Sequence, residues 1–422
     1  MEQILPNGIR LVDRRNNQYH SFCIGVYLPA GSMYESEKQN GITHLFEHCV
    51  FRNIKSKYSE DFYDLMTGHG LDFNACTYRE FIQFEISGIP SGADFAADIL
   101  MGIFQPLQLS REDYLAEMGR IRAEIRENDE RNTVKALLNG HVWKGTALAN
   151  AITGCSGGLS RISRKQLEEY RKSIFFPGNV LVCLTGNIPQ SQADNIVKLL
   201  SGVTLHSQQT LRTNMAPVPA DFGRRSPAVH TANGRYCTMA LGFDIDNVKC
   251  PVGIRDLLHV TLFTGDNALF FRRLSEDMPL LYSYDAVMEQ YRNISNIQVS
   301  FEIAPDDIVK VLREIRYLLD DLRNGRFSFD LNLQKQLTQW QIQQDYVCDY
   351  NWAIAYDNYL LGAEPVCEDS PLLGRYADVT GEEMVRCARE IFRKSNMTLA
   401  VRGPKRKIPE AEILGELKLF AD

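Results

Sequence analysis

Two stretches far apart in the chain line up without a gap. Residues 162–187 read ISRKQLEEYRKSIFFPGNVLVCLTGN, and residues 379–404 read VTGEEMVRCAREIFRKSNMTLAVRGP. Val379 stands 217 positions after Ile162. Each stretch has a hydroxyl residue ahead of a helical apolar period, then a short apolar run, which is a capped helix feeding a buried strand. The same spacing sets Cys23-Ile24-Gly25-Val26 against Ala240-Leu241-Gly242-Phe243. It also sets His44-Leu45-Phe46-Glu47-His48 against Thr261-Leu262-Phe263-Thr264-Gly265. One constant spacing over three separated segments argues for a duplicated domain, although the period is far longer than that of solenoid repeats. The predicted fold is α+β: two homologous α/β sandwich-like domains, each a mostly antiparallel sheet packed by helices. Between them, Gly202 to Gly234 is polar, carries prolines and shows no clear period, so it reads as a linker. The expected organisation is a first domain over 1–205, a linker over 206–234 and a second domain over 235–422.

Only the first copy carries chemistry in the aligned motif. His44 and His48 sit four apart with Glu47 just before the second, an H-x-x-E-H order. Positions i and i+4 of a helix lie on one face, so two imidazoles there can grip one divalent metal, and zinc suits nitrogen ligands. Glu47, one step away, projects near the metal without having to bind it, where a general base belongs. Asn40-Gly41 reads as a turn and Thr43 as the helix cap. Ile42, Leu45, Phe46, Cys49 and Val50 form the predicted buried side. In the second copy the apolar Leu262-Phe263 pair survives while every chemical residue is replaced, so the metal is expected in the first half alone.

A catalytic zinc needs a third protein ligand and an open position. The predicted helix from Ser110 to Asn128 offers Glu112, Glu117, Glu124 and Glu127 beside an apolar stripe of Tyr114, Leu115, Met118, Ile121 and Ile125. Glu117 and Glu124 share one face at the stripe's edge, whereas Glu112 and Glu127 read as solvated. Periodicity does not choose between Glu117 and Glu124.

Other predicted strands are 9–12, 22–28, 71–77, 81–87, 180–185 and 296–303. Other predicted helices are 59–67, 94–104, 163–176, 306–324 and 331–361. The 422 residues carry a net charge of −7 and no basic tract, which argues against a nucleic-acid partner. No apolar run approaches the roughly 20 residues of a membrane span. Met1 to Asn7 shows no basic start followed by an apolar stretch, so no secretory signal is expected. Ten scattered cysteines without a C-x-x-C pair read as reduced thiols, and a cytoplasmic location is expected.

Three features together resemble the M16 zinc peptidases (pitrilysin, insulinase and the mitochondrial processing peptidases). They are the H-x-x-E-H order, Asn74-Ala75-Cys76-Thr77, and the Glu117/Glu124 pair. Gly31-Ser32-Met33-Tyr34-Glu35 and the run Ser163 to Gly186 are similar to that family too. The likeness covers both halves and is strongest from Leu5 to Asn187. It implies that His44, His48 and Glu124 bind Zn2+, that Glu47 is the base and that Glu117 supports the ligands. It also implies a peptide substrate added as a β-strand, main chain to main chain, along Leu71 to Thr77, with Asn74 and Ala75 as contacts.

The second half departs from the family's pattern. Active members place an Arg and a Tyr, seven apart, near the substrate carbonyl. Here Tyr282 meets the second position and Ser275 holds the first, with Arg272 and Arg273 out of register. Loss of such an oxyanion donor costs on the order of a hundredfold in rate. Members of this length work as dimers. The resemblance therefore implies a hetero-oligomer in which a homologous M16 subunit lacking the zinc motif supplies the missing pair, with a homodimer as the second arrangement.

Overall fold

The apolar runs of each half pair into a sheet of their own in the computed structural model, which describes residues 2–58, 61–127, 132–206, 215–326, 330–343 and 376–422. In the first half the elements run β1 (Glu2–Ile4), β2 (Arg10–Arg15), β3 (Phe22–Leu28), α1 (Ile42–Lys55), α2 (Phe62–Gly68), β4 (Leu71–Thr77), β5 (Ile82–Gly88), α3 (Ala93–Ile103) and α4 (Arg111–Glu127). Then come α5 (Val134–Val142), α6 (Ser156–Leu159), α7 (Arg164–Ile174), β6 (Leu181–Gly186) and α8 (Gln190–Ser201). The second half holds β7 (Val229–Asn233), β8 (Thr238–Asp246), α9 (Val252–Phe263), α10 (Leu269–Phe271), β9 (Asp285–Gln290) and β10 (Ile294–Glu302). It ends with α11 (Ile308–Arg323), α12 (Leu331–Gln343), α13 (Gly381–Ile391), β11 (Met397–Gly403) and α14 (Glu410–Leu417).

The first sheet is ordered β1-β2-β6-β3-β5-β4 and the second β7-β11-β8-β10-β9. Leaving out β1, the two orders match strand for strand. In each, one parallel pair (β2 with β6, β7 with β11) sits beside antiparallel neighbours. Both helix-strand repeats begin with a capping box, Ser163 with Gln166 and Thr380 with Glu383. Such a box satisfies two otherwise unpaired helix-start donors, which is why a hydroxyl residue precedes each copy. The protein therefore has a two-domain α+β fold with mostly antiparallel sheets.

Three expectations are corrected. The predicted linker contains a strand: β7 pairs with β11 from Val229↔Leu399 to Asn233↔Gly403. As a half-buried edge strand it needs no apolar run, so its composition hides it. Second, residues 132–149, inside the expected first domain, group with 215–326, 330–343 and 376–422, whereas 2–58, 61–127 and 150–206 form the other unit. Leu138, Val142 and Trp143 are fully buried there, and Leu138 and Val142 close over Gly242 of β8. Third, the constant spacing slips at the motif helix. The helix α9 ends at Phe263, so Thr264 and Gly265 lie beyond it and are not the structural counterparts of Glu47 and His48. The helix expected to reach Leu361 is present over Leu331–Gln343, and the remainder lies outside the described residues.

Within the first unit, β3 is buried at every position, as the central strand of a sheet covered on both faces must be. α1 packs its Ile42, Leu45, Phe46, Cys49 and Val50 side into the core with Phe84, Ile86, Leu100 and Phe175. α4 adds Tyr114, Met118 and Ile121 to that core, but Leu115, expected in its stripe, is exposed. β4 closes one edge of the sheet, with no strand beyond it among the described residues. No described helix is long and apolar enough to cross a membrane.

Candidate metal centre

The motif helix begins where the chain turns through Gly41 at φ 94°, a left-handed conformation that favours glycine. A Cβ there would come 2.9 Å from the Gly154 Cα. Thr43 is not the cap. It lies inside α1, its hydroxyl 2.6 Å from the Tyr170 hydroxyl. The capping acceptor is Glu35, outside the helix. Its Oε2 accepts from Gly41 N (2.7 Å) and Asn40 Nδ2 (3.0 Å), and its Oε1 accepts from Thr43 N (2.9 Å). α4 does start as expected, with Asp113 N donating to Ser110 Oγ at 2.9 Å.

α1 and α4 bring four of the predicted residues together. His44 Nε2 stands 3.7 Å from Glu124 Oε1, and His48 Nε2 stands 3.6 Å from Glu124 Oε2. The two imidazoles meet edge to face, centroids 4.7 Å apart. One donor atom from each of His44, His48 and Glu124 lies within 4.8 Å of the others. Tetrahedral zinc bonds of about 2.0–2.1 Å put ligand atoms roughly 3.3 Å apart, so this trio is close to the spacing one cation needs. Glu117 occupies a different place. At 2% exposure it is buried, with Oε1 accepting from Arg52 Nε at 2.7 Å and Oε2 standing 3.4 Å from His48 Nδ1. With Nδ1 protonated, His48 donates to Glu117 and leaves Nε2 free to face Glu124, the arrangement that orients metal-binding histidines. His44 Nδ1 is buried with no partner among the described residues.

Electrostatics follow from burial. His44 is pushed down to about 4 by desolvation and then by the neighbouring His48, so its ring is neutral, as a metal ligand must be. Burial acts to raise the Glu117 carboxyl, but the His48 and Arg52 hydrogen bonds, with the Arg120 and Arg52 charges, hold it below the usual carboxylate value. Glu47 is raised by burial; a hydrogen bond from Thr77 works against that shift. Thr77 Oγ1 donates to Glu47 Oε2 at 2.6 Å.

The remaining predicted residues are carried by other elements than α1 and α4. Asn74 projects from the exposed side of the edge strand β4, where its Oδ1 accepts from Ala75 N, and Ala75 is half-buried against the core. Tyr282 is in the second unit and is 99% exposed. Ser275 Oγ donates to Leu281 O at 2.8 Å. Arg52 was not singled out from the sequence, and Thr77 stood there only as the last residue of the Asn74–Thr77 motif, with no role of its own. Arg52 lies four residues after His48, on the same helix face, and Thr77 shares strand parity with the buried Leu71 and Phe73. Both signals are readable only once the partner carboxylates are known.

Comparison with known proteins agrees with this architecture. The sequence profile described as Insulinase (Peptidase family M16) matches residues 10–156, and that of the Peptidase M16 inactive domain matches 161–331. Cytochrome b-c1 complex subunit 1, mitochondrial, of Mus musculus is 29% identical over 205 residues, which is 48% of this chain and 42% of that protein. The chain thus matches less than half the length of that relative. The uncharacterized zinc protease YmxG of Bacillus subtilis (strain 168) is 22% identical over 344 residues, covering 78% of this chain and 80% of YmxG. Among solved structures, a protease from Helicobacter pylori shares the fold at a TM-score of 0.85 with 18% identity, covering 96% of this chain and 99% of that one. Two adjoining M16 profiles that together span residues 10–331, over sheets of matching strand order, place this chain in peptidase family M16.

Proposed function

We propose that the chain is a zinc-dependent endopeptidase of short or unfolded peptides, and the catalytic subunit of an assembly. Its partner is a homologous M16 subunit lacking the zinc motif or, in the second arrangement, another copy of itself. The observation that carries the reading is the convergence of His44, His48 and Glu124, with Glu47 close enough to feel the charges of His48 and Glu124. His44, His48 and Glu124 would hold the zinc, which when bound would supply a Lewis acid for the scissile carbonyl and acidify water. Glu47 is placed to hold a proton on its carboxylate and to deliver it to the leaving amine. Glu117 and Arg52 keep the His48 ring in place. The edge of β4, at Asn74 and Ala75, has no strand beyond it among the described residues and aligns an extended peptide by main-chain pairing, which folded substrates do not offer. The scattered cysteines support a cytoplasmic location.

Metal analysis and peptide hydrolysis test this together. The wild-type chain and Glu47→Gln are expected to hold one zinc each, with turnover lost in Glu47→Gln; His48→Ala is expected to lose the metal. Hydrolysis is measured for the chain alone and after adding a homologue lacking H-x-x-E-H. Full activity alone rejects the need for a different partner. Zinc without turnover in either condition rejects the peptidase.

A second reading is a peptide-capturing or non-catalytic subunit. Ser275 favours it: a hydroxyl already engaged by Leu281 O stands where active members carry a guanidinium. The likeness to a cytochrome b-c1 subunit also favours it.

A further inference from the structure

We propose that Thr77 is a positioning residue that fixes the Glu47 carboxylate from the peptide-binding edge strand. This rests on the reading of Glu47 as the base. Nothing in α1 itself locks that side chain. Glu47 faces a cleft it shares with His48, Phe51, Arg52, Phe62 and Tyr63, and a glutamate has rotatable bonds enough to swing into it. The restraint comes from β4. Thr77 is 7% exposed at the end of that strand, and Thr77 is paired with Ile82 of β5. Its β-branched side chain is stiff about χ1, so the hydroxyl is a fixed point. At 2.6 Å the bond to Glu47 Oε2 has the length of a charge-assisted O–H···O⁻ contact, about twice as strong as a neutral one. Oε2 is thereby occupied and the plane of the carboxylate is set, which leaves Oε1 to receive a proton.

The second consequence is register. The strand that carries the hydroxyl also carries Asn74 and Ala75, three and two residues earlier. A peptide paired along the outer side of β4 is aligned by the same rigid element that holds the base. Base and scissile bond then share one reference, and positional errors of the kind that cost catalysis about a hundredfold per ångström are suppressed.

The test uses the zinc-loaded full chain, in whichever assembly the wild type turns over. Thr77→Val keeps shape and strand preference but removes the donor, and Thr77→Ser restores it. The expected result is a kcat about tenfold to a hundredfold lower in Thr77→Val, the range seen when supporting hydrogen bonds at metal sites are removed. KM and zinc content stay unchanged, and Thr77→Ser recovers most of the rate. Crystal structures of the same three proteins supply a readout free of turnover. Glu47 should hold one orientation in wild type and Thr77→Ser and swing or split in Thr77→Val. A Glu47 carboxylate unmoved in Thr77→Val overturns the proposal whatever the rates, as does equal loss of kcat in both variants. If Glu47→Gln is inactive while Thr77→Val matches the wild type, the positioning role falls and the base assignment stands. If Glu47→Gln turns over normally, the base assignment itself falls, and with it the role of Thr77.

Discussion

Two glutamates one heptad apart on α4 face the histidines of α1, and burial separates their roles. Glu117 has both oxygens engaged, one by the Arg52 guanidinium and the other by the His48 ring. Glu124, a third exposed, presents one oxygen to each Nε2. A carboxylate already neutralised by an arginine is a poor metal ligand, because binding would first break a charge-assisted hydrogen bond. The pair was visible in the sequence as a shared helix face. Periodicity did not choose between its members, and the assignment came only from the family resemblance, because Arg52 sits on another helix and pairs with Glu117 across a gap of 65 residues. The two substitutions should therefore differ in kind. Glu124→Ala is expected to abolish stoichiometric zinc binding. Glu117→Gln is expected to weaken it about tenfold to a hundredfold while preserving stoichiometry. Competition against a chromogenic chelator measures both, and identical affinities would remove the distinction.

The helix that carries the motif shows where local rules succeed and where they stop. Its apolar side was legible in the spacing of Ile42, Leu45, Phe46, Cys49 and Val50, and β4 was legible to the residue. Its start was not. Thr43 satisfied the local capping pattern, yet the acceptor is Glu35, reached through a loop and buried at 8% exposure. Glu35→Ala leaves Gly41 N, Thr43 N and Asn40 Nδ2 without that acceptor, within the four residues before His44. Losing an acceptor for buried donors costs about 1–3 kcal/mol, so the urea midpoint should fall accordingly. Glu35→Gln, which retains a carbonyl oxygen, should fall less. Equal midpoints for all three proteins would show that the loop, not the carboxylate, sets the start of α1.

At the scale of the molecule, the duplication was legible because both copies kept a capped helix and a buried strand in one spacing. The exchange of 132–149 into the second unit was not legible, since an amphipathic helix carries no mark of which sheet it covers. That exchange puts two histidines face to face. His141, in the last turn of α5, stacks on His230 of β7 with centroids 3.6 Å apart and planes 11° apart. Desolvation lowers His230 to about 4, assisted by His141, Lys144 and Arg225, and desolvation likewise lowers His141, assisted by Lys144 and Arg225. Above the ordinary histidine value of 6.5 the His230 ring is neutral whether the chain is folded or unfolded. Below it the unfolded chain takes up a proton that the folded one refuses until about pH 4. Fewer protons are bound by the folded state across that window, so stability declines as pH falls from 6.5 toward 4. His230→Phe keeps the stacked ring and removes the charge. Urea unfolding at pH 7.5 and pH 5 should show a smaller drop for His230→Phe than for wild type. An unchanged drop would mean that the paired rings contribute nothing to the acid sensitivity of the packing between α5 and the second sheet.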